Sequence, residues 1–148
     1  SGGYGALGQN STSPSNTLVQ LPGTTWKDKT GIDDGMVAVK TDGTLWAWGK
    51  NDNGSLGQND RTQYSSPKQI PGTTWDRVMS GYSVVLASKT DGTLWTWGFG
   101  NYGSLGQDKS GSPARISSPT QVGTDTDWVS NASSMSGMMF TAYGLKLF

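Results

Sequence analysis

The ten residues Lys40-Thr41-Asp42-Gly43-Thr44-Leu45-Trp46-Ala47-Trp48-Gly49 return as Lys89-Thr90-Asp91-Gly92-Thr93-Leu94-Trp95-Thr96-Trp97-Gly98, 49 residues later and with one substitution. Each copy reads as a turn followed by a strand. Asp-Gly predicts a type I′ hairpin turn, whose two central positions both need positive φ. The residues after it are strong strand formers. Along that strand Leu45 and Ala47 share one face, and Trp46 and Trp48 share the other. A strand that is apolar on both sides needs cover on both sides, so the copies are expected to stack as sheets.

The period extends beyond the core stretch. Gly5-Ala6-Leu7-Gly8-Gln9 recurs as Gly54-Ser55-Leu56-Gly57-Gln58 and as Gly103-Ser104-Leu105-Gly106-Gln107. Pro22-Gly23-Thr24-Thr25-Trp26 recurs as Pro71-Gly72-Thr73-Thr74-Trp75, with a looser third copy ending at Trp128. Twenty residues after these tryptophans stand Trp46, Trp95 and Phe148. The 148 residues therefore divide into three repeats, 1–49, 50–98 and 99–148. Four short strands are predicted in each: 17–21, 24–30, 35–40 and 44–48 in the first, then 66–70, 73–79, 84–89 and 93–97 in the second. The third repeat is longer between Gln107 and Trp128 and has lost its Asp-Gly turn. Its closing apolar segment, 138–148, is expected to mark either a natural end or the seam of a ring.

Four strands in a repeat of 40–50 residues is the pattern of a β-propeller blade; solenoids repeat at shorter periods. The fold class expected is all-β. Three blades do not close a ring of the usual four to eight. The reading therefore expects a partial propeller, continued by further blades or completed by other chains, and not a self-sufficient monomer.

Composition narrows the function. Eleven acidic residues balance eleven basic ones, so there is no basic footprint for nucleic acid. No run of 18 apolar residues suggests a membrane span. The sequence has no Cys and no His, which excludes thiol nucleophiles, His-based triads and Cys or His metal ligands. Asp33-Asp34 and the pair Asp125 and Asp127 are formally able to serve acid–base or Ca²⁺ chemistry, but they read as solvated turn residues. The Gly-x-Leu-Gly-Gln elements lack the Gly-Lys-[Ser/Thr] of a phosphate-binding loop. Neither a catalytic site, a metal nor a cofactor is expected.

Lys-Thr-Asp-Gly-Thr-Leu-Trp-Ala-Trp-Gly, followed by Asn-x-x-Gly-x-Leu-Gly-Gln and Ser-Ser-Pro-x-Gln-Ile, resembles the regulator of chromosome condensation repeat. The resemblance covers nearly the whole chain. It implies a seven-bladed propeller of about fifty residues per blade and no single function. The family holds a chromatin-docked exchange factor for a small GTPase, ubiquitin ligases, a secreted bacterial β-lactamase inhibitor, and bacterial and phage proteins. Members often carry Gly-x-x-His before the Asp-Gly turn; Gly35, Val84 and Gly137 stand at that His position here. The basic tail and long acidic loops of the exchange factor are also absent. Exchange activity therefore ranks last among the readings.

Repetition assigns Trp46, Trp48, Trp95 and Trp97 to the blade core rather than to a sugar-stacking surface, with Trp46 and Trp95 expected buried between blades. Recognition is expected where matched positions differ between repeats. These are Arg61 and Tyr64 in one loop, Phe99 and Tyr102 in another, and Lys109 and Arg115 in the long third loop. Arg and aromatics are the residues most often energetic at interfaces, and loops on a rigid scaffold carry most binding. The sequence thus reads as a non-catalytic structural, adhesive or protein-binding module, with an inhibitor-type propeller as the alternative. Its expected partners are proteins or other chains of an assembly, not nucleic acid or a small molecule, and its expected setting is a virion or the cell exterior.

Overall fold

A computed structural model describes residues 3–100, 103–107 and 114–128 of the chain. Among these residues eight strands form two four-stranded antiparallel sheets. The first sheet runs β1 (Trp26–Ile32), β2 (Gly35–Lys40), β3 (Leu45–Gly49) and β4 (Tyr64–Ile70), in that spatial order. The second repeats it with β5 (Trp75–Gly81), β6 (Val84–Lys89), β7 (Leu94–Gly100) and β8 (Ala114–Gln121). Among the described residues helix is confined to one 3-10 turn at Gly3–Gly5.

The strand grouping differs from the sequence reading. The strand expected to open each repeat instead closes the preceding sheet: Leu45 pairs with Ile70, and Trp95 with Gln121. Hydrogen bonding explains this, because the third strand would otherwise present a bare edge. Residues 17–21, at the matching place in the first repeat, form no strand. Leu18 and Val19 in this stretch are exposed.

The Asp-Gly turns also differ from expectation. Gly43 and Gly92 have φ of 79° and 81°, while Asp42 and Asp91 are not at positive φ. Gly43 N–H donates to Lys40 O at 3.0 Å, and Lys40 N–H donates to Thr44 O at 2.9 Å. The loop is therefore three residues long, a turn closed by a left-handed glycine, which is the next commonest hairpin connection. Asp42 favours it by taking Thr44 N–H at 3.0 Å and the Thr44 hydroxyl at 2.6 Å on the same carboxylate oxygen. Asp91 and Thr93 repeat the arrangement at 3.0 and 2.7 Å.

The core lies between the sheets. Register places Val37, Val39, Leu45, Ala47 and Ile70 on one face of the first sheet. On the second sheet Val78, Val85, Ala87 and Trp97 share one face, and the two sets join in a single buried cluster. The small, branched face of one blade thus receives the tryptophan face of the next. On the far side of the first sheet, Trp48 is only 1% exposed. Its indole N–H donates to Ala6 O at 3.1 Å, and its ring packs against Trp26 at 5.7 Å between centroids.

Trp46 and Trp95 are half-buried rather than fully buried. The fully buried members of each pair are Trp48 and Trp97. The half-buried rings are roofed instead. Lys40 Nζ lies 4.4 Å from the Trp46 ring and 4.8 Å from Trp26; Lys89 Nζ lies 4.0 Å from Trp95 and 4.7 Å from Trp75. Each ammonium sits between two aromatic faces, whose quadrupoles attract it.

Candidate binding site

The Gly-x-Leu-Gly-Gln element is the clip between blades. Its glutamine side chain donates to backbone carbonyls of the strand that closes the preceding sheet: Gln58 to Gln69 O at 3.2 Å, and Gln107 to Gln121 O at 3.1 Å. Gln9 makes the matching bond to Gln20 O at 2.9 Å, although 17–21 is not a strand. The carbonyl at the second position of the clip accepts the buried tryptophan of the next sheet, Ser55 O from Trp97 at 2.8 Å, as Ala6 O does from Trp48. A Cβ on Gly57 would stand 3.0 Å from the Trp97 indole nitrogen and 3.1 Å from Ile70, so glycine is what lets the clip fit between them. The first strands of the two sheets are also joined, by Thr30 and Ser80 hydroxyls at 2.6 Å, Val78 N–H to Asp28 at 3.0 Å, and a Lys27–Asp76 ion pair.

After each clip the chain crosses to the closing strand of the next sheet. Asn10 N–H donates to Ser65 O at 2.8 Å, and Asn59 N–H to Ser117 O at 2.7 Å. Both asparagines sit at left-handed φ, 56° and 59°. At the second crossing an open cleft of about 380 Å³ lies between the loop and β8, lined by Asn53, Gly54, Asn59, Asp60, Arg61, Arg115 and Ser117.

Of the residues singled out by sequence comparison, the structure brings Arg61 and Arg115 into this cleft. Phe99 supports it without lining it. Phe99 and Arg115 are cross-strand partners on β7 and β8, and the guanidinium lies 4.8 Å from the ring centroid. Tyr64 is half-buried at the start of β4 and turned to a local task. Its hydroxyl donates to Asp60 Oδ2 at 2.7 Å and accepts from Lys68 Nζ at 2.7 Å. Tyr64, Phe99 and Arg115 thus stand on strands rather than in loops, because β4 and β7 extend beyond the predicted ends and β8 occupies part of the expected third loop. Tyr102 and Lys109 lie outside the described residues.

Asp60 lines the cleft with its carboxylate already engaged. Oδ1 accepts Thr62 N–H at 2.9 Å and the Asn51 amide at 3.2 Å, while Oδ2 takes the Tyr64 hydroxyl. Asn51, 1% exposed, also donates to Asp60 O and Thr62 O and accepts Leu56 N–H, so it fixes loop to clip. Arg61 and Arg115 are exposed and have no ion-pair partner among the described residues. Sequence comparison missed Asn53, Asn59, Asp60 and Ser117. Asn59 was legible in part, since Asn10 repeats it; the others depend on which strand closes which sheet.

Elsewhere, Lys50 Nζ lies 3.1 Å from Asp33, and this bond raises the lysine above its ordinary range. Asp33 is thereby tied into an ion pair. Among the described residues no three His, Cys, Asp or Glu side chains gather as a metal site, and no helix is long and apolar enough to cross a membrane.

The sequence profile of the regulator of chromosome condensation repeat matches residues 42–87 and 91–137, more than half of the chain. The chain belongs to this family. Among curated protein sequences none matches. Solved structures share the fold, among them the following three. The chain is 20% identical to human WBSCR16, with a TM-score of 0.66 over 80% of this chain and 32% of that one. It is 16% identical to Prp20p of Saccharomyces cerevisiae, described with its binding to Gsp1p and histones, with a TM-score of 0.60 over 72% of this chain and 27% of that one. A structure of Kap60 bound to the same yeast protein gives 15% identity and a TM-score of 0.56, over 72% of this chain and 26% of the other. The chain thus spans about a third or less of the length of these relatives. The two sheets are blades of this repeat family, and the all-β, four-stranded blade expected from the period is the one observed; the closing part of the third repeat, 129–148, lies outside the described residues.

Proposed function

We propose that this chain is part of a non-catalytic propeller that binds a protein partner at the rim cleft between the 51–62 loop and β8. One observation carries the reading. The two blade crossings share a backbone geometry, yet their rims differ in chemistry: the positions of Arg61 and Arg115 are held by Thr12 and Gln63 at the first crossing. Two of the three arginines in the sequence line this one cleft. Both are exposed, and neither is needed by the clip that holds the blades together. Arginine in a structured cleft is a frequent energetic anchor at protein interfaces, and a rigid propeller rim presents it at low entropic cost. The yeast relative, whose described binding is to proteins, is consistent with this use of the fold.

The experiment is affinity purification with the full chain in its native setting, followed by titration of the recovered partner in purified form. We expect a sub-micromolar Kd that weakens at least tenfold in the double variant R61A/R115A, with the circular dichroism spectrum unchanged. A partner that binds the double variant as tightly as the parent chain would place the interface elsewhere and overturn the assignment of the rim.

A further inference from the structure

We infer that the cleft recognises an acidic segment of a protein, with the two guanidiniums taking side-chain carboxylates; this deepens the reading above and rests on it. Four observations converge. First, Arg61 and Arg115 approach the same cleft from a loop and from β8, and neither is neutralised by an ion pair among the described residues. Secondly, the one carboxylate in the lining, Asp60, is held by Thr62, Asn51 and Tyr64, so hydrogen bonding within its own loop occupies it. Thirdly, Phe99 beneath Arg115 holds the guanidinium by its ring face and leaves the N–H edge for a ligand. Fourthly, the lining is polar, with Asn53, Asn59 and Ser117 beside the arginines, which suits a hydrogen-bonding ligand rather than an apolar anchor.

Planar guanidinium forks match carboxylates in bidentate geometry and stay charged at any physiological pH. The alternative anion is the phosphate backbone of a nucleic acid. That binding draws its affinity from many cations set along a track, each releasing counterions. Here two cations flank one carboxylate in a chain of zero formal charge. An acidic protein segment therefore fits the site better than a phosphate track.

The test uses the full chain and a fluorescein-labelled twelve-residue peptide of alternating Asp and Gly, read by anisotropy in low salt, with a Ser-Gly peptide and a twenty-nucleotide single-stranded DNA as competitors. The acidic peptide should bind, compete with the purified partner, and weaken at least tenfold in R61A/R115A. R61K/R115K, which keeps the charge but loses the fork, should weaken it by about threefold or more. Thr12→Ala, at the matching place on the first crossing, should leave it unchanged. No peptide binding, or equal binding to R61A/R115A, overturns the inference. So does DNA that binds more tightly than the peptide and loses that affinity in the double variant. If the partner depends on both arginines but the acidic peptide neither binds nor competes, the rim reading stands and only the ligand chemistry fails.

Discussion

The two sheets share a plan down to individual hydrogen bonds, and they differ on the face each offers to the blade that follows. In the first sheet that face carries Val37, Val39 and Ala47; the matching positions in the second are Leu86, Ser88 and Thr96. The first face is covered by the second sheet, and at these three positions it is apolar. The second has exchanged two apolar side chains for hydroxyls. Thr96 uses its hydroxyl well, donating to Leu105 O at 2.6 Å and accepting from Gln107 at 3.3 Å. Ser88 is buried, and its hydroxyl has no partner among the described residues. A repeat therefore holds its fold through shared backbone clips while the contact between neighbouring blades is free to drift.

The largest effect that tests this comparison lies in the tryptophans. Trp97 fills the space between two sheets, whereas Trp48 is covered by the 3–8 turn and by Trp26. Trp97→Ala should cost about 3–5 kcal/mol, the usual range for a buried Trp. Trp48→Ala should cost less, by at least about 1 kcal/mol, because a short turn relaxes into a void more easily than a sheet does. Denaturant melts of the two variants under matched conditions measure the difference. Equal losses would mean that the turn packs as firmly as a blade, and the contrast between the two sides of the first sheet would disappear.

A smaller change sharpens the contrast between the two outward faces. Ser88→Val installs the residue that the first sheet carries at this position, Val39. It removes a buried hydroxyl whose unmet hydrogen bond costs about 1–3 kcal/mol, and it adds a β-branched side chain to a strand. We expect a gain in stability of about 1 kcal/mol, read as a higher denaturant midpoint with an unchanged slope. A loss of similar size would show that the hydroxyl is satisfied in the folded chain and that the polar face is built for a polar neighbour.

Much of this architecture was legible because its causes are local. Period, strand alternation and the glycines of the clip follow from residue types at fixed spacing, so the blades and their number of strands could be read directly. Three things could not. Asp-Gly permits more than one turn, and the choice was made by the Thr44 and Thr93 donors that occupy the aspartate. Which sheet owns the closing strand depends on long-range pairing, since a strand at either end of the repeat satisfies the same pattern. Burial of Trp46 was overestimated because periodicity gives the face of a strand but not its distance from the rim, where Lys40 covers the ring instead. For the site, divergence between repeats pointed to Arg61 and Arg115, which line the rim cleft. It pointed to Tyr64 as well, whose hydroxyl is spent on Asp60 and Lys68.

The smallest expected effect concerns what the two sheets have in common. Asp42 and Asp91 each sit below the ordinary carboxylate value of 3.8, chiefly because the Thr44 and Thr93 hydroxyls donate to the ionised form, with the threonine backbone N–H next in importance. A carboxylate whose pKa is lowered on folding binds fewer protons folded than unfolded in the interval between its two values. Its contribution to stability is therefore complete above that ordinary value and is lost as the pH falls through the lower folded one. Both aspartates are on exposed turns, so solvent keeps the contribution small. Asp42→Asn and Asp91→Asn each keep an oxygen that accepts the threonine N–H and remove the titration. Each should lower the denaturation midpoint slightly at pH 6 and flatten its decline as the pH falls below the ordinary carboxylate value. Because the two turns share the same three hydrogen-bonded groups, the two variants should behave alike, and the double variant should show the sum of the two effects. A flattened acid limb in only one of them would show that the turns, alike in geometry, are not equivalent in energy.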